Sequence, residues 1–251
     1  MIILRILSNA IIMAGEVAAV AAIAAFAFYC PFVFAGVTAA LSFLLGLRLE
    51  VARLRYELPF YFGGLVRRSA VLTAMVGFLE AAFKGIVAGV ATLFTFSGTD
   101  TDRRFWVAVV FALCIYAGAS LLRLLSLKSD ALPMRWGYFR LAPLLGLLFS
   151  IGMAVLAAAA VLPQSTVSDI GWKIIFETPE HPSIEQVSEL LFQIKQAFDQ
   201  FIVTILSQIV DADTARIIAI VISVNVLSGF VSALYAALIA AGVRRAEDAL
   251  L

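Results

Sequence analysis

Apolar residues run through this chain in long blocks rather than in alternation, and short polar joints separate the blocks. Leu141–Pro163 and Ile217–Gly242 hold no charged residue at all. A helix rises ~1.5 Å per residue and the hydrocarbon core of a bilayer is ~30 Å thick, so about 20 such residues span it. The pattern predicts spans at Ser69–Phe96, Phe105–Leu127, Leu141–Leu162 and Thr214–Gly242. The stretch Ile6–Leu47, broken by Glu16 and Pro31, fits two parsings. In one, Ile6–Phe28 and Phe32–Leu47 form a hairpin turning at Tyr29-Cys30-Pro31, because proline disfavours helix in the residue before it. In the other, residues 2–13 lie along the interface and Val17–Leu47 is one long, kinked span. The hairpin gives about six transmembrane helices and the long helix about five. The expected fold is all-α, a polytopic integral membrane helix bundle in contact with the lipid bilayer.

Two polar stretches interrupt this pattern. Leu47–Leu58 carries Glu50, Arg53 and Glu57 at helical ion-pair spacing, with Leu47, Val51, Leu54 and Leu58 as an apolar stripe, and ends before Pro59. It predicts a short helix at the membrane surface, where arginines meet anionic headgroups or a cytosolic subunit docks. In Gln164–Asp213, Ser183 followed by Gln186 forms a capping-box signature after Pro182. From there Ile184, Val187, Leu191, Ile194, Phe198, Phe201 and Ile205 recur at three- and four-residue steps. The polar face of this predicted 183–210 helix is acidic, through Glu185, Glu189 and Asp199, where membrane-surface helices are usually basic. The stripe Val187, Leu191, Ile194, Phe198, Phe201 is therefore expected to pack on protein: its own bundle, another subunit, or another copy. The resulting division is 1–163, a membrane bundle with the interfacial segment 48–68; 164–213, an extracytoplasmic segment; and 214–251, the last span and a cytoplasmic tail.

Composition narrows the class. Hydrophobic residues make up 63% of the chain and charged ones 14%, where a soluble domain has roughly a quarter charged. The net charge of +1 is dispersed near helix ends, which excludes a nucleic-acid surface. Arg48, Arg53, Arg55, Arg67, Arg68, Arg123, Lys128, Arg135, Arg140, Arg244 and Arg245 fall on one side of the predicted topology. Only Arg103, Arg104, Lys173, Lys195 and Arg216 fall on the other. Lysine- and arginine-rich short loops stay in the cytoplasm, which places the C-terminus there, and the compact loops fit a bacterial inner membrane.

Glu80 and Lys84 stand inside a span, four residues apart on one helix face, at the spacing of an ion pair. An unpaired charge at the membrane centre costs about 2.5–3.5 kcal/mol on insertion scales, so such residues face protein or water. Either they lock helix packing, or Glu80 titrates in an ion or proton relay with Lys84 tuning it. Glu16 joins that path if it is deep in the membrane. Gly85 and Gly89 have the spacing of a close helix contact, and Asn225 is positioned to bond a neighbouring helix. His181, the sole histidine, has no second metal ligand or nucleophile at useful spacing, and Cys30 and Cys114 sit in apolar runs. No catalytic, metal or cofactor motif emerges. Two functions remain: a non-catalytic subunit of a transport or secretion assembly, or a small secondary transporter or channel. No pair of broken helices in matching halves favours the second.

The topology predicts that a single cysteine at Ser129 in a cysteine-free background resists an impermeant thiol reagent on intact cells, whereas one at Thr178 reacts. Labelling at 129 and not at 178 inverts the orientation.

Overall fold

A computed structural model describes residues 2–62, 70–129, 131–158, 183–211, 214–215, 218–219, 222 and 224–250. Arg67, Arg68, Lys173, His181 and Arg216, and with them most of the outer segment before Ser183, lie outside the described residues. Among those described, every element is helical. They are α1 (Ile2–Tyr29), α2 (Pro31–Phe62), α3 (Ala70–Phe96), α4 (Thr101–Ser129), α5 (Pro133–Trp136), a π-helical turn (Gly137–Leu141), α6 (Ala142–Ala158), α7 (Ile184–Leu206), a 3-10 turn (Val224–Leu227) and α8 (Ser228–Leu250).

Six helical stretches are long and apolar enough to cross a membrane: Asn9–Tyr29, Pro31–Glu57, Ala70–Phe96, Thr101–Ser129, Pro133–Leu156 and Asn225–Asp248. The break falls at Cys30, and the contacts on either side show that the chain reverses there. Phe28 lies on Phe105 at the start of α4, and Glu16 faces Arg123 near its end. Phe34 lies on Phe96 at the end of α3, while Val51 faces Gly77 near its start. Helices α1 and α2 are therefore the antiparallel arms of a hairpin, and six spans alternate in direction. Two boundaries differ from expectation. Helix α2 runs without interruption through Leu47–Leu58, so that segment extends a span instead of forming a separate surface helix. Among the described residues the last candidate span is Asn225–Asp248, so the helix expected to end at Gly242 continues and carries Arg244, Arg245, Glu247 and Asp248, while much of the expected stretch from Thr214 to Asn225 lies outside the described residues. Gly242 stops nothing, because a helix end of that kind needs a left-handed residue, and among the described glycines only Gly98 has a positive φ.

Small residues set the spacing. Helix α3 turns Gly77, Ala81, Gly85 and Ala88 toward α2, and all four are buried. A Cβ on Gly77 would come within 2.7 Å of Val51, and one on Gly85 within 3.1 Å of the Ala39 carbonyl and of Phe43. Gly89 faces Ala39 in the same seam. At the other side of the bundle Gly146 of α6 and Gly229 of α8 cross backbone to backbone: a Cβ on Gly229 would stand 2.1 Å from the Gly146 nitrogen. Such close approaches replace a hydrophobic driving force that lipid does not provide. The centre is aromatic, with Phe34 stacked on Tyr235 at 5.2 Å and edge-on to Phe96 and Phe111. The Tyr235 hydroxyl finds Thr38 Oγ1 at 2.8 Å, which satisfies both groups in the core.

A charged groove between two helices and a docked outer helix

Glu80 and Lys84 project from the same side of α3, beside its glycine seam, but they do not pair with each other. Their partners are on α2. Lys84 Nζ donates to Glu50, and the Arg53 guanidinium donates to Glu80. Arg53 also reaches Glu50 at 3.1 Å and Glu57 at 3.1 Å. Two helical stripes, Glu50-Arg53-Glu57 and Glu80-Lys84, thus interleave across one interface. The pairing crosses helices because the seam of small residues brings α2 and α3 close enough for side chains four residues apart to prefer the facing helix.

Glu50 is fully buried. Sequence reasoning placed it on a surface helix, where its spacing to Arg53 reads as a solvated pair, and so missed it. The signal available was the continuity of helical spacing from Phe32 through Leu58, with no breaker before Pro59. A third element completes the groove. The π-helical turn sets Tyr138 and Phe139 side by side, with their rings 4.8 and 4.9 Å from Lys84 Nζ, and Phe139 5.4 Å from the Arg53 guanidinium. Gly137 permits this: a Cβ there would lie 2.4 Å from Ala237 of α8. An inserted residue of this kind re-aims side chains that a regular helix would point elsewhere. The rings give the cations a favourable face without adding charge.

A second ionic cluster lies where α1, α4 and α8 meet. Buried Glu16 is 3.9 Å from Arg123, which also bonds Glu247. Arg244 donates to Ser126 Oγ at 2.6 Å and to the Ala131 carbonyl. A pocket of about 170 Å³ opens between Arg123, Ser126, Arg244, Glu247 and Asp248. Glu16 therefore belongs to a different cluster from Glu80 and Lys84. Asn225 sits in the 3-10 turn ahead of α8, where its carbonyl accepts from Ser228 Oγ.

Helix α7 begins as expected, with the Ser183 side chain accepting from the Gln186 amide and the Gln186 side chain from the Ser183 amide. The face it turns to the bundle is not the predicted stripe. Ser188 Oγ accepts from the Gly98 amide at 3.0 Å and Phe192 lies under the Arg103 guanidinium at 3.7 Å. Lys195, two turns on from Ser188, is buried on that side. The receiving corner is the α3–α4 turn, where Gly98 has φ +101° and a Cβ would stand 3.0 Å from Arg103 and 3.6 Å from the Phe192 ring. Val187 and Leu191 are half-buried, while Ile194, Phe198 and Phe201 face away from the chain. Burial, and then the neighbouring Arg103, pull the Lys195 ammonium down to about 7, with Asp199 opposing.

Compared with known families, curated proteins and solved structures, the chain finds no match. The fold defines a polytopic, all-α integral membrane protein.

The pairing predicts which double variants recover. Glu50→Gln or Lys84→Met alone removes one side of the cross-helix pair and should destabilise the fold by up to about 3–5 kcal/mol, and combining them should restore much of the folded yield. Combining Glu80→Gln with Lys84→Met should not restore it, because those two residues do not pair with each other and Arg53 and Glu50 each lose one partner across the seam. Folded yield by size-exclusion chromatography in detergent decides; recovery in the 80/84 pair and not in the 50/84 pair refutes the cross-helix pairing.

Lys195 predicts that docking of α7 strengthens as pH rises. Undocked, the lysine titrates near ~10.4, so between about 7 and that value the undocked form holds the extra proton. Below about 7 both forms are charged and the full penalty for burying the ammonium persists. Amide exchange across α7, corrected for its intrinsic pH dependence, should slow from neutral to alkaline pH, and Lys195→Met should flatten the trend. Equal protection at all pH values in the native chain contradicts this account.

Proposed function

We propose that this protein is a non-catalytic membrane subunit of a larger transport or secretion assembly, held in a bacterial inner membrane with its C-terminus in the cytoplasm and docked to a neighbouring subunit through α7. One observation carries the reading. Outside the candidate spans, α7 holds itself on the bundle with Ser188, Phe192 and Lys195 and leaves a second, apolar face uncovered, with Phe198 47% and Phe201 61% exposed. Burying side chains of that size contributes on the order of 1.5–3 kcal/mol each, enough to hold a partner when several act together. The acidic residues Glu185, Glu189 and Asp199 on the rest of the helix disfavour anionic headgroups and favour a protein surface. The lysine and arginine asymmetry supports the orientation.

A second reading, a small transporter or channel acting alone, draws support from the charged groove, since ionisable groups within spans commonly mark ion or proton paths.

Photocrosslinking residues placed at Phe198 and Phe201 in cells test the first reading. A single polypeptide captured at both positions in high yield, and lost from mild-detergent preparations of the Phe198→Ser/Phe201→Ser variant while the spans remain inserted, is the expected result. Crosslinks to lipid alone, or an isolated chain that moves an ion in liposomes, overturn it.

A further inference from the structure

Where α4 and α8 end together, the pocket of about 170 Å³ is lined by two arginines, two carboxylates, a serine and a leucine: Arg123, Arg244, Glu247, Asp248, Ser126 and Leu127. Its bonding is uneven. Arg123 is matched twice, by Glu247 and by Glu16 at 3.9 Å. Arg244 is turned to α4 instead, where Nη1 donates to Ser126 Oγ at 2.6 Å and to the Ala131 carbonyl at 3.3 Å, both neutral acceptors. Among the described residues no carboxylate pairs with it. Asp248 follows at ion-pair spacing on α8, yet it is exposed and pairs with no cation among the described residues. Ser126 is buried, and because its Oγ accepts from Arg244, its hydroxyl proton remains to donate. The pocket thus offers an uncommitted guanidinium and hydroxyl together with an uncommitted carboxylate.

Depth says where a ligand comes from. Ser126 and Leu127 stand in the last turn of the candidate span Thr101–Ser129, and Arg244, Glu247 and Asp248 at the end of Asn225–Asp248, which is the level of phospholipid headgroups. Leu127 is 73% exposed and Leu124, one turn before it, 50%, so this flank of the pocket faces acyl chains.

We propose that the pocket seats the headgroup of a phospholipid that ends in a primary amine, with its phosphodiester on Arg244 and Ser126 and its ammonium on Asp248 beside Glu247. The site lies where α1, α4 and α8 meet, so the inference is independent of docking through α7 and needs only that the chain spans a bilayer. Volume, charge and lining each narrow the class. About 170 Å³ is below the roughly 300–1,000 Å³ of pockets for drug-sized ligands, which suits one headgroup with its chains left outside. Three carboxylates, Glu16, Glu247 and Asp248, stand against two guanidiniums, Arg123 and Arg244, in the cluster as a whole. That excess acid opposes a net-anionic headgroup and admits one whose phosphate is balanced by its own cation. A primary ammonium brings three N–H donors to carboxylates. A quaternary ammonium brings none and is recognised by aromatic rings, which this lining lacks.

Native mass spectrometry of the full chain in detergent, titrated with phosphatidylethanolamine, phosphatidylcholine and phosphatidylglycerol of one acyl composition, tests the assignment. The ethanolamine lipid should bind about tenfold more tightly than either of the others, the worth of one charge-assisted hydrogen bond. Asp248→Asn should abolish its advantage over phosphatidylcholine and leave phosphatidylcholine binding unchanged. Arg244→Gln should weaken all three by removing the phosphate seat. The Asp248 arm decides on its own, since Arg244 also anchors α8 to the Ala131 carbonyl, whereas Asp248 is exposed and unpaired among the described residues. Soluble glycerophosphoethanolamine, the same headgroup without acyl chains, should not displace the lipid at equal concentration. Equal binding of the three lipids, a preference for phosphatidylglycerol, or an ethanolamine advantage that survives Asp248→Asn overturns the site. Displacement by an equal concentration of glycerophosphoethanolamine overturns the lipid as occupant and assigns the same chemistry to a soluble phosphoamine.

Discussion

A fully buried carboxylate inside a membrane helix needs a counter-charge at hydrogen-bond distance, and the Glu50–Lys84 contact supplies it across the α2–α3 seam. Much of the surrounding structure follows from that requirement. The two helices must approach closely enough for a lysine to reach, which demands Gly77, Ala81, Gly85 and Gly89 on one helix and Gly46 on the other. The lysine head must also be held away from lipid, which the rings of Tyr138 and Phe139 do from a third direction. Those rings are aimed by a π-turn, and the turn is tolerated because Gly137 meets α8 without a side chain. Charge, glycine and helix irregularity are thus one device distributed over four elements.

The bundle is divided along its length. The ionic groups of α2 and α3, and the Glu16–Arg123–Glu247 cluster, gather toward one end, with Arg244 and the α4–α5 connection. The α1–α2 turn, the α3–α4 turn and α7 lie at the other, above a layer built from Phe34, Phe96, Phe111 and Tyr235. The aromatic layer is closely packed and buried. The ionic half instead contains the π-turn and the pocket of about 170 Å³ between Arg123, Arg244 and Glu247.

The sequence made the class legible, because length and hydropathy dictate it, but Pro31 left hairpin and kinked long helix, and so six spans and five, open until the contacts of α1 with α4 and of α2 with α3 decided between them. The capping box at Ser183 was equally local and equally readable. What escaped were features that depend on a facing element. Glu50 and Arg53 have the spacing of a surface ion pair, and only the presence of α3 makes them buried. Glu80 and Lys84 have the spacing of an intrahelical pair, and only the glycine seam redirects them. The stripe of α7 was read correctly as apolar, but the face that docks carries Ser188, Phe192 and Lys195, and it is set by the Gly98–Arg103 corner, which no spacing within α7 reveals. The end of the last span moved because Arg123 and Ser126 receive charges that would otherwise have stopped the helix.

The cross-helix pairing also bears on how such a chain enters a membrane. Helix α3 alone brings a glutamate and a lysine to the lipid with only each other as partners. Helix α2 brings a glutamate and an arginine in the complementary order. Synthesised consecutively and joined by a short connection, they reach the bilayer as a pair in which each supplies counter-ions to the other. The hairpin, not the single helix, is then the natural quantum of insertion for this part of the chain, and the seam of small residues doubles as the zipper that closes before lipid surrounds it.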